Sequence, residues 1–239
     1  MILIIGENED AILYLRSRLV DERKEVVFPS LQVYRGRMGN EEAAIASIGI
    51  GLPLVAINVD NLLRKYEPYL VFNVGSVGAI KPSLHQGDVL IAERYYAHGI
   101  DYSGDGKNVY GQLNGLPPFF VADMGLCASA EKAAYEIGGH YVERGSLLSS
   151  DIRIYDDKPV FDDLQRRFAG NSRLTCLDNC SYAIALSCYL HNASLLTVKS
   201  VNYESGEESQ RLNFRRKGLE LMPFVGKVVS AVLLRNSKI

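Results

Sequence analysis

Short apolar runs rich in β-branched and aromatic residues recur along the chain at 2–5, 31–35, 43–50, 69–75, 88–93, 145–150, 174–177 and 195–201. Their length and content are those of strands buried on both faces. Between many of them, apolar positions return at helical spacing, over 9–20, 53–65, 125–137, 158–168, 179–191 and 217–235. Strands interleaved with helices predict an α/β fold, a three-layer α/β/α sandwich around a central mixed, largely parallel twisted sheet. No Pro/Gly/Ser-rich linker and no internal repeat divides the chain, so residues 1–239 read as a single domain. The longest irregular stretch, about 97–120, holds Gly99, Gly104, Gly106, Gly111, Gly115, Pro117 and Pro118. An irregular stretch of that length in one domain is usually functional or an interface.

Composition narrows the partners. Of 239 residues, 47% are hydrophobic and 23% charged, enough to bury a sizeable core. A net charge of −2 leaves no basic footprint for nucleic acid and no polybasic membrane patch. No apolar run approaches the roughly 20 residues of a membrane span. Ile2-Leu3-Ile4-Ile5, with no basic segment before it, reads as a first strand rather than a signal peptide. Cys127, Cys176, Cys180 and Cys188 lack paired CxxC spacing and are expected to be free, buried thiols in a reducing cytoplasm. Cys180, Cys188 and His191 lack the spacing of a metal site, so neither metal nor other cofactor is expected.

The densest signal lies in 69–92. A strand-like Tyr69-Leu70-Val71-Phe72 leads to Gly75-Ser76-Val77-Gly78, where glycines allow a sharp turn and close approach to a ligand, and Ser76 offers a hydroxyl and amides. The continuation Lys81-Pro82-Ser83-Leu84-His85-Gln86-Gly87-Asp88 leads into a further strand. This order, Asn-x-Gly-Ser-x-Gly, a Pro-containing loop, Gly-Asp, strand, resembles the nucleoside phosphorylase/nucleosidase superfamily, most closely its methylthioadenosine/S-adenosylhomocysteine nucleosidases. The resemblance runs from Ile2 to about Phe214. It implies a small-molecule purine nucleoside as ligand, cleavage of its N-glycosidic bond, and a homodimer. It also implies that the 97–120 stretch carries aromatic side chains to the neighbouring subunit's site, here Tyr102, Tyr110, Phe119 or Phe120, unless the loop folds over its own chain.

In open α/β sheets ligands bind beyond the carboxyl ends of the strands. That rule gathers Glu7 and Glu9, Gly75–Gly78, Ser149–Arg153, Asp178–Cys180 and Asn202–Glu204 onto one edge. Glycosidic cleavage requires an acid for the departing base, negative charge near a cationic ribosyl centre, and a held water. By position, the family's first carboxylate falls on Ala11, with Glu7, Glu9 and Asp10 close by. Its ribose-gripping Glu-Met-Glu falls on Asp178-Asn179-Cys180, its late Ser-Asp on Asn202-Tyr203, and its base-binding segment on Asp151-Ile152-Arg153-Ile154. The resemblance thus implies that Ser76, Val77, Gly78, Ile152, Arg153, Asp178, Asn179, Cys180, Asn202 and Tyr203 bind substrate. Glu7 or Glu9 would position water, and Glu204 would act as acid. Two other readings stay open: a nucleoside-binding homologue without catalysis, and a phosphorylase. The acidic Gly6-Glu7-Asn8-Glu9-Asp10 loop disfavours the latter by repelling a phosphate dianion. Asp178, Asn179, Glu7 and Asn8 also have a plainer reading as helix caps.

Overall fold

The computed structural model describes residues 1–27, 31–152, 158–168, 174–203 and 214–236. The apolar runs become strands of one sheet: β1 (Ile2–Gly6), β2 (Val20–Val27), β3 (Leu31–Met38), β4 (Glu41–Ser47), β5 (Leu70–Ala79), β6 (Val89–Ala97), β7 (Phe120–Val121), β8 (Val142–Ser149), β9 (Leu174–Asp178) and β10 (Ser194–Tyr203). The helices are α1 (Glu9–Arg16), α2 (Leu52–Tyr66), α3 (Met124–Ile137), α4 (Lys158–Arg167), α5 (Ser181–His191) and α6 (Phe214–Asn236). The strand order is β10-β6-β8-β9-β5-β1-β4-β3-β2, with β7 on the side of β6.

The sheet is mixed. β1 lies parallel to β4 and β5, β5 to β10, and β8 to β6 and β9, while β2–β3–β4 and β6–β10 run antiparallel. β10 also pairs with β5, so β5, β10, β6, β8 and β9 close into a ring. The closure follows from unequal lengths. β1 ends at Gly6 opposite Val74, but β5 runs on to Ala79, still paired with β10 along one side and meeting β9 as a new partner at Gly78 and Ala79 on the other. Gly75-Ser76-Val77-Gly78 is therefore not the turn expected from its glycines. It is the part of a strand where one neighbour leaves and another arrives.

Two further differences have local causes. The helical pattern over 9–20 overruns, since α1 stops at Arg16. Val20–Val27 is an edge strand that is almost wholly exposed and highly charged, so it carries no apolar periodicity to betray it. Charge on an exposed edge discourages pairing with another chain. Of the long loop, Tyr110 and Phe119 pack within the chain, their rings 5.5 Å from Phe168 and 5.2 Å from Tyr96. Phe120 lies buried in β7. These three cover their own subunit, and of the four aromatics only Tyr102 stands out in solvent.

α2 shows how one helix divides its apolar residues. Val55, Val59, Leu62 and Leu63 recur on one face and are buried in the monomer. Leu54 and Ile57 are left outside, each more than half exposed. The four cysteines are free and buried. Among the described residues no helix is long and apolar enough to cross a membrane, and no cluster of His, Cys, Asp and Glu is arranged to hold a metal.

Candidate active site

A cleft of about 200 Å³ opens where β1 and β9 end against the later part of β5 and the middle of β10, lined by residues that include Glu7, Ser76, Val77, Gly78, Asp178, Asn179, Cys180 and Lys199. Its construction begins at the divergence of β1 from β5. Beyond Val74 the β5 main chain has lost its β1 partner, and the Ser76 amide points into the gap. Glu7, the first residue after β1, fills it: the Ser76 amide and hydroxyl both donate to Glu7 Oε1, at 2.7 and 2.9 Å. Asn8 fixes the direction of this exit by capping α1, its Oδ1 accepting from the Ala11 amide at 2.9 Å. Gly75 has φ of +140°, and a Cβ there would lie 1.7 Å from Glu7 Oε2. Only glycine lets this strand and this carboxylate meet.

The second half is built around Lys199. It sits in the middle of β10, between β5 and β6, and its side chain is wholly buried. A buried ammonium needs partners. Its Nζ donates to Asp178 Oδ2 at 2.9 Å, lies 3.2 Å from Cys180 Sγ, and reaches Glu7 Oε2 at 3.5 Å. Asp178, at the end of β9, also accepts from the Ser149 hydroxyl at 2.6 Å and from the amides of Cys180 and Ser181 at the start of α5. Asp178 thus acts at the α5 N-terminus as the capping reading has it, and it lines the cleft at the same time, a carboxylate between a helix N-terminus and an ammonium.

The electrostatics follow. Burial opposes ionisation of Asp178, but the Lys199 ammonium and the Ser149 and Ser181 hydroxyls outweigh it and hold the carboxyl at about 2. For Lys199 burial pulls downward, and Asp178, Cys180 and Glu7 together push it well above its ordinary value. Burial, then the Asp178 charge, push the Cys180 thiol up, so it stays neutral and can donate to Asp178, 3.3 Å away. Two carboxylates against one ammonium leave the cleft with one excess negative charge.

Not every expected residue arrives. Glu9 turns away on the first turn of α1 and accepts from the Ser47 hydroxyl at 2.7 Å. Ile152 is exposed, and its amide donates to Ser150 Oγ at 3.0 Å. Asn202 is buried near the end of β10, its side-chain oxygen 3.5 Å from the Ser200 hydroxyl and its main-chain carbonyl accepting from Gln86, and it does not line the cleft. Arg153 and Glu204 lie outside the described residues, as does the side chain of Tyr203. Asn179 lines the cleft, and its amide group donates to the Ser150 carbonyl, tying the 150–152 segment to the wall. Sequence reasoning missed Lys199. The signal was present: a lysine within Leu195-Leu196-Thr197-Val198-Lys199-Ser200-Val201 is a charge in a strand that reads as buried on both faces.

Removing either partner of a buried pair strands the other. Lys199→Met and Asp178→Asn should each lose about 3–5 kcal/mol in urea unfolding. The double variant should lose clearly less than their sum, and strict additivity would show that the two do not interact. The same pair fixes an acid dependence. Because the folded Asp178 carboxyl sits at about 2, below its unfolded value, its stabilisation is full above about pH 4 and disappears as pH falls toward 2. Between those limits Asp178→Asn should flatten the loss of stability with acid, as read by circular dichroism.

A family model described as the phosphorylase superfamily matches residues 1–233. The 5′-methylthioadenosine/S-adenosylhomocysteine nucleosidase of Geobacillus thermodenitrificans is 32% identical over 206 residues, covering 86% of this chain and 85% of the relative. That of Exiguobacterium is 30% identical over 211 residues, covering 88% of each. Among solved structures, the Neisseria meningitidis nucleosidase in complex with methylthio-immucillin-A superposes with a TM-score of 0.88 at 24% identity, covering 97% of both chains. The Colwellia psychrerythraea nucleosidase in complex with adenine gives a TM-score of 0.87 at 21% identity, covering 98% of this chain and 94% of that one. With the fold, the strand-end cleft and a match over nearly its whole length in agreement, the chain belongs to the phosphorylase superfamily.

Proposed function

We infer that the protein hydrolyses the N-glycosidic bond of a purine nucleoside, of the methylthioadenosine/S-adenosylhomocysteine or futalosine type. The observation that carries this reading is the Glu7 carboxylate, held over the cleft by Ser76 with Lys199 and Asp178 behind it. Rupture of the bond makes the ribosyl centre cationic, and a preorganised excess of negative charge favours that state over the neutral substrate. Glu7 is placed to orient and deprotonate a water. Ser76, Val77 and Gly78 form the wall against ribose and base, and Asp178 and Asn179 lie where ribose hydroxyls would be met. Ile152, next to the Ser150 carbonyl that Asn179 holds, would contact the base, with Arg153 stacking on it. Glu204 would act as the acid for the leaving base, with Asn202 and Tyr203 as substrate-binding residues beside it in sequence. The relatives' names support the substrate class.

Incubation with methylthioadenosine, S-adenosylhomocysteine, adenosine and futalosine should release free base, followed by chromatography. Glu7→Gln should reduce kcat about 10²–10⁴-fold. One observation favours a second reading, a nucleoside binder without turnover: the neutral Cys180 thiol stands where the resemblance expects a ribose-gripping glutamate. Nucleosides that raise the melting temperature yet stay intact would decide for it.

The working unit in this reading is a cytoplasmic homodimer that binds neither nucleic acid nor membrane. The buried free thiols suit a reducing compartment. On α2, Val55, Val59, Leu62 and Leu63 fill the monomer core, and Ile57 stays exposed. It joins exposed Leu54 and Ile50, and Ile50 also lines the cleft mouth, so the strip borders the site. α5, packed on α2, adds exposed Tyr189 and Leu190. A second copy covering this strip would account for it. Ile57→Glu should convert a dimer to a monomer in analytical ultracentrifugation, and an unchanged sedimentation coefficient would place the interface elsewhere.

A further inference from the structure

The groups that hold Glu7 form an anion site in their own right. A main-chain N–H, the hydroxyl of the same residue and a buried ammonium converge on one carboxylate, at 2.7, 2.9 and 3.5 Å. The φ of +140° at Gly75 turns the backbone so that the Ser76 amide faces inward rather than along the sheet. Backbone amides in such a concavity, beside a fixed cation, recognise oxyanions by geometry and charge. Nothing in this donor set is particular to glutamate. The side chain that occupies it comes from the chain itself, across 69 residues of sequence from Ser76 and 192 from Lys199.

We propose that Glu7 is a built-in occupant of an oxyanion cradle made by Ser76 and Lys199, and that it is the residue that keeps inorganic phosphate out of the cleft. Occupation excludes a phosphate in two ways: the carboxylate fills the donors, and its charge adds to that of Asp178 to repel a second anion. Water, being neutral and small, is not excluded. Glu7 thus acts as a specificity determinant for the nucleophile, apart from any proton it moves. The claim concerns anion binding to the free protein, so it stands or falls separately from nucleoside hydrolysis.

The test is isothermal titration of the full chain with sodium phosphate at pH 7, against chloride of equal ionic strength and without nucleoside. Wild type should show no binding beyond the chloride control. Glu7→Ala, which vacates the donors, should bind phosphate at least tenfold more tightly than wild type, with sulfate behaving alike. Adding Ser76→Ala to it should remove most of the gain. Glu7→Gln keeps the occupying shape and should gain far less than Glu7→Ala. If Glu7→Ala is poorly folded, Glu7→Ser shortens the side chain while keeping a polar group, and its melting temperature should rise with phosphate but not with chloride. Equal phosphate binding by wild type and Glu7→Ala, no gain in either shortened variant, or a gain that survives Ser76→Ala would each overturn the proposal.

Discussion

A lysine ammonium with no access to solvent governs the arrangement of this molecule's ligand-facing edge. Moving an isolated ammonium from water into a low-dielectric interior costs, even after relaxation, several kcal/mol. Lys199 avoids that cost only because Asp178, Cys180 and Glu7 are brought to it from elsewhere in the chain. Each partner then has consequences of its own. Asp178 anchors the end of β9 and the start of α5, and Glu7 draws the β1 exit across the top of β5. One charge thereby fixes three segments of backbone relative to a fourth.

Topology supplies the place for that charge. β10 lies between β5 and β6 and is packed by α3, α5 and α6, so Lys199 has no exposed face from which to extend into water. A strand that outlasts its neighbour, such as β5 beside β1, must present an unpaired amide at the point of departure. The cleft forms where these two conditions meet. Its polar groups are therefore satisfied from within: the amide by a carboxylate, the carboxylate by an ammonium. The excess of one negative charge also has a size. At about 4 Å and an effective dielectric near 20, a unit charge contributes about 4 kcal/mol, favourable to a developing cation and unfavourable to an approaching anion.

Much of the fold is legible in the sequence because burial on both faces leaves continuous apolar runs, as at Ile2–Ile5 and Val71–Val74. Val20–Val27 is not, because an exposed, charged edge has no reason to alternate. The Gly75–Gly78 segment is legible as a ligand-facing element but not as a continuing strand, since its geometry depends on when β1 departs. In the site, Glu7, Ser76, Val77, Gly78, Asp178, Asn179 and Cys180 converge as the strand-end rule requires. Glu9 does not, because α1 begins at Glu9 and rotates its side chain toward Ser47. Lys199 escapes notice because its importance lies in partners that no local pattern names.

The positions that resemble lost catalytic groups look different once charge is counted around Lys199. Ala11 is 5% exposed, and a Cβ on Gly6 would lie 2.8 Å from the Ala11 Cβ, so this part of α1 is packed closely against β1. Glu7 delivers a carboxylate to the cleft from the strand exit instead of from the helix. With Glu7 and Asp178 both facing one ammonium, a third carboxylate at position 180 would leave two uncompensated charges in a nearly dry space. A neutral thiol at Cys180, accepting from Lys199 and donating to Asp178, fits there without that repulsion. The residues at 7, 178 and 180 are thus coupled through a single constraint, the charge that one buried lysine can balance.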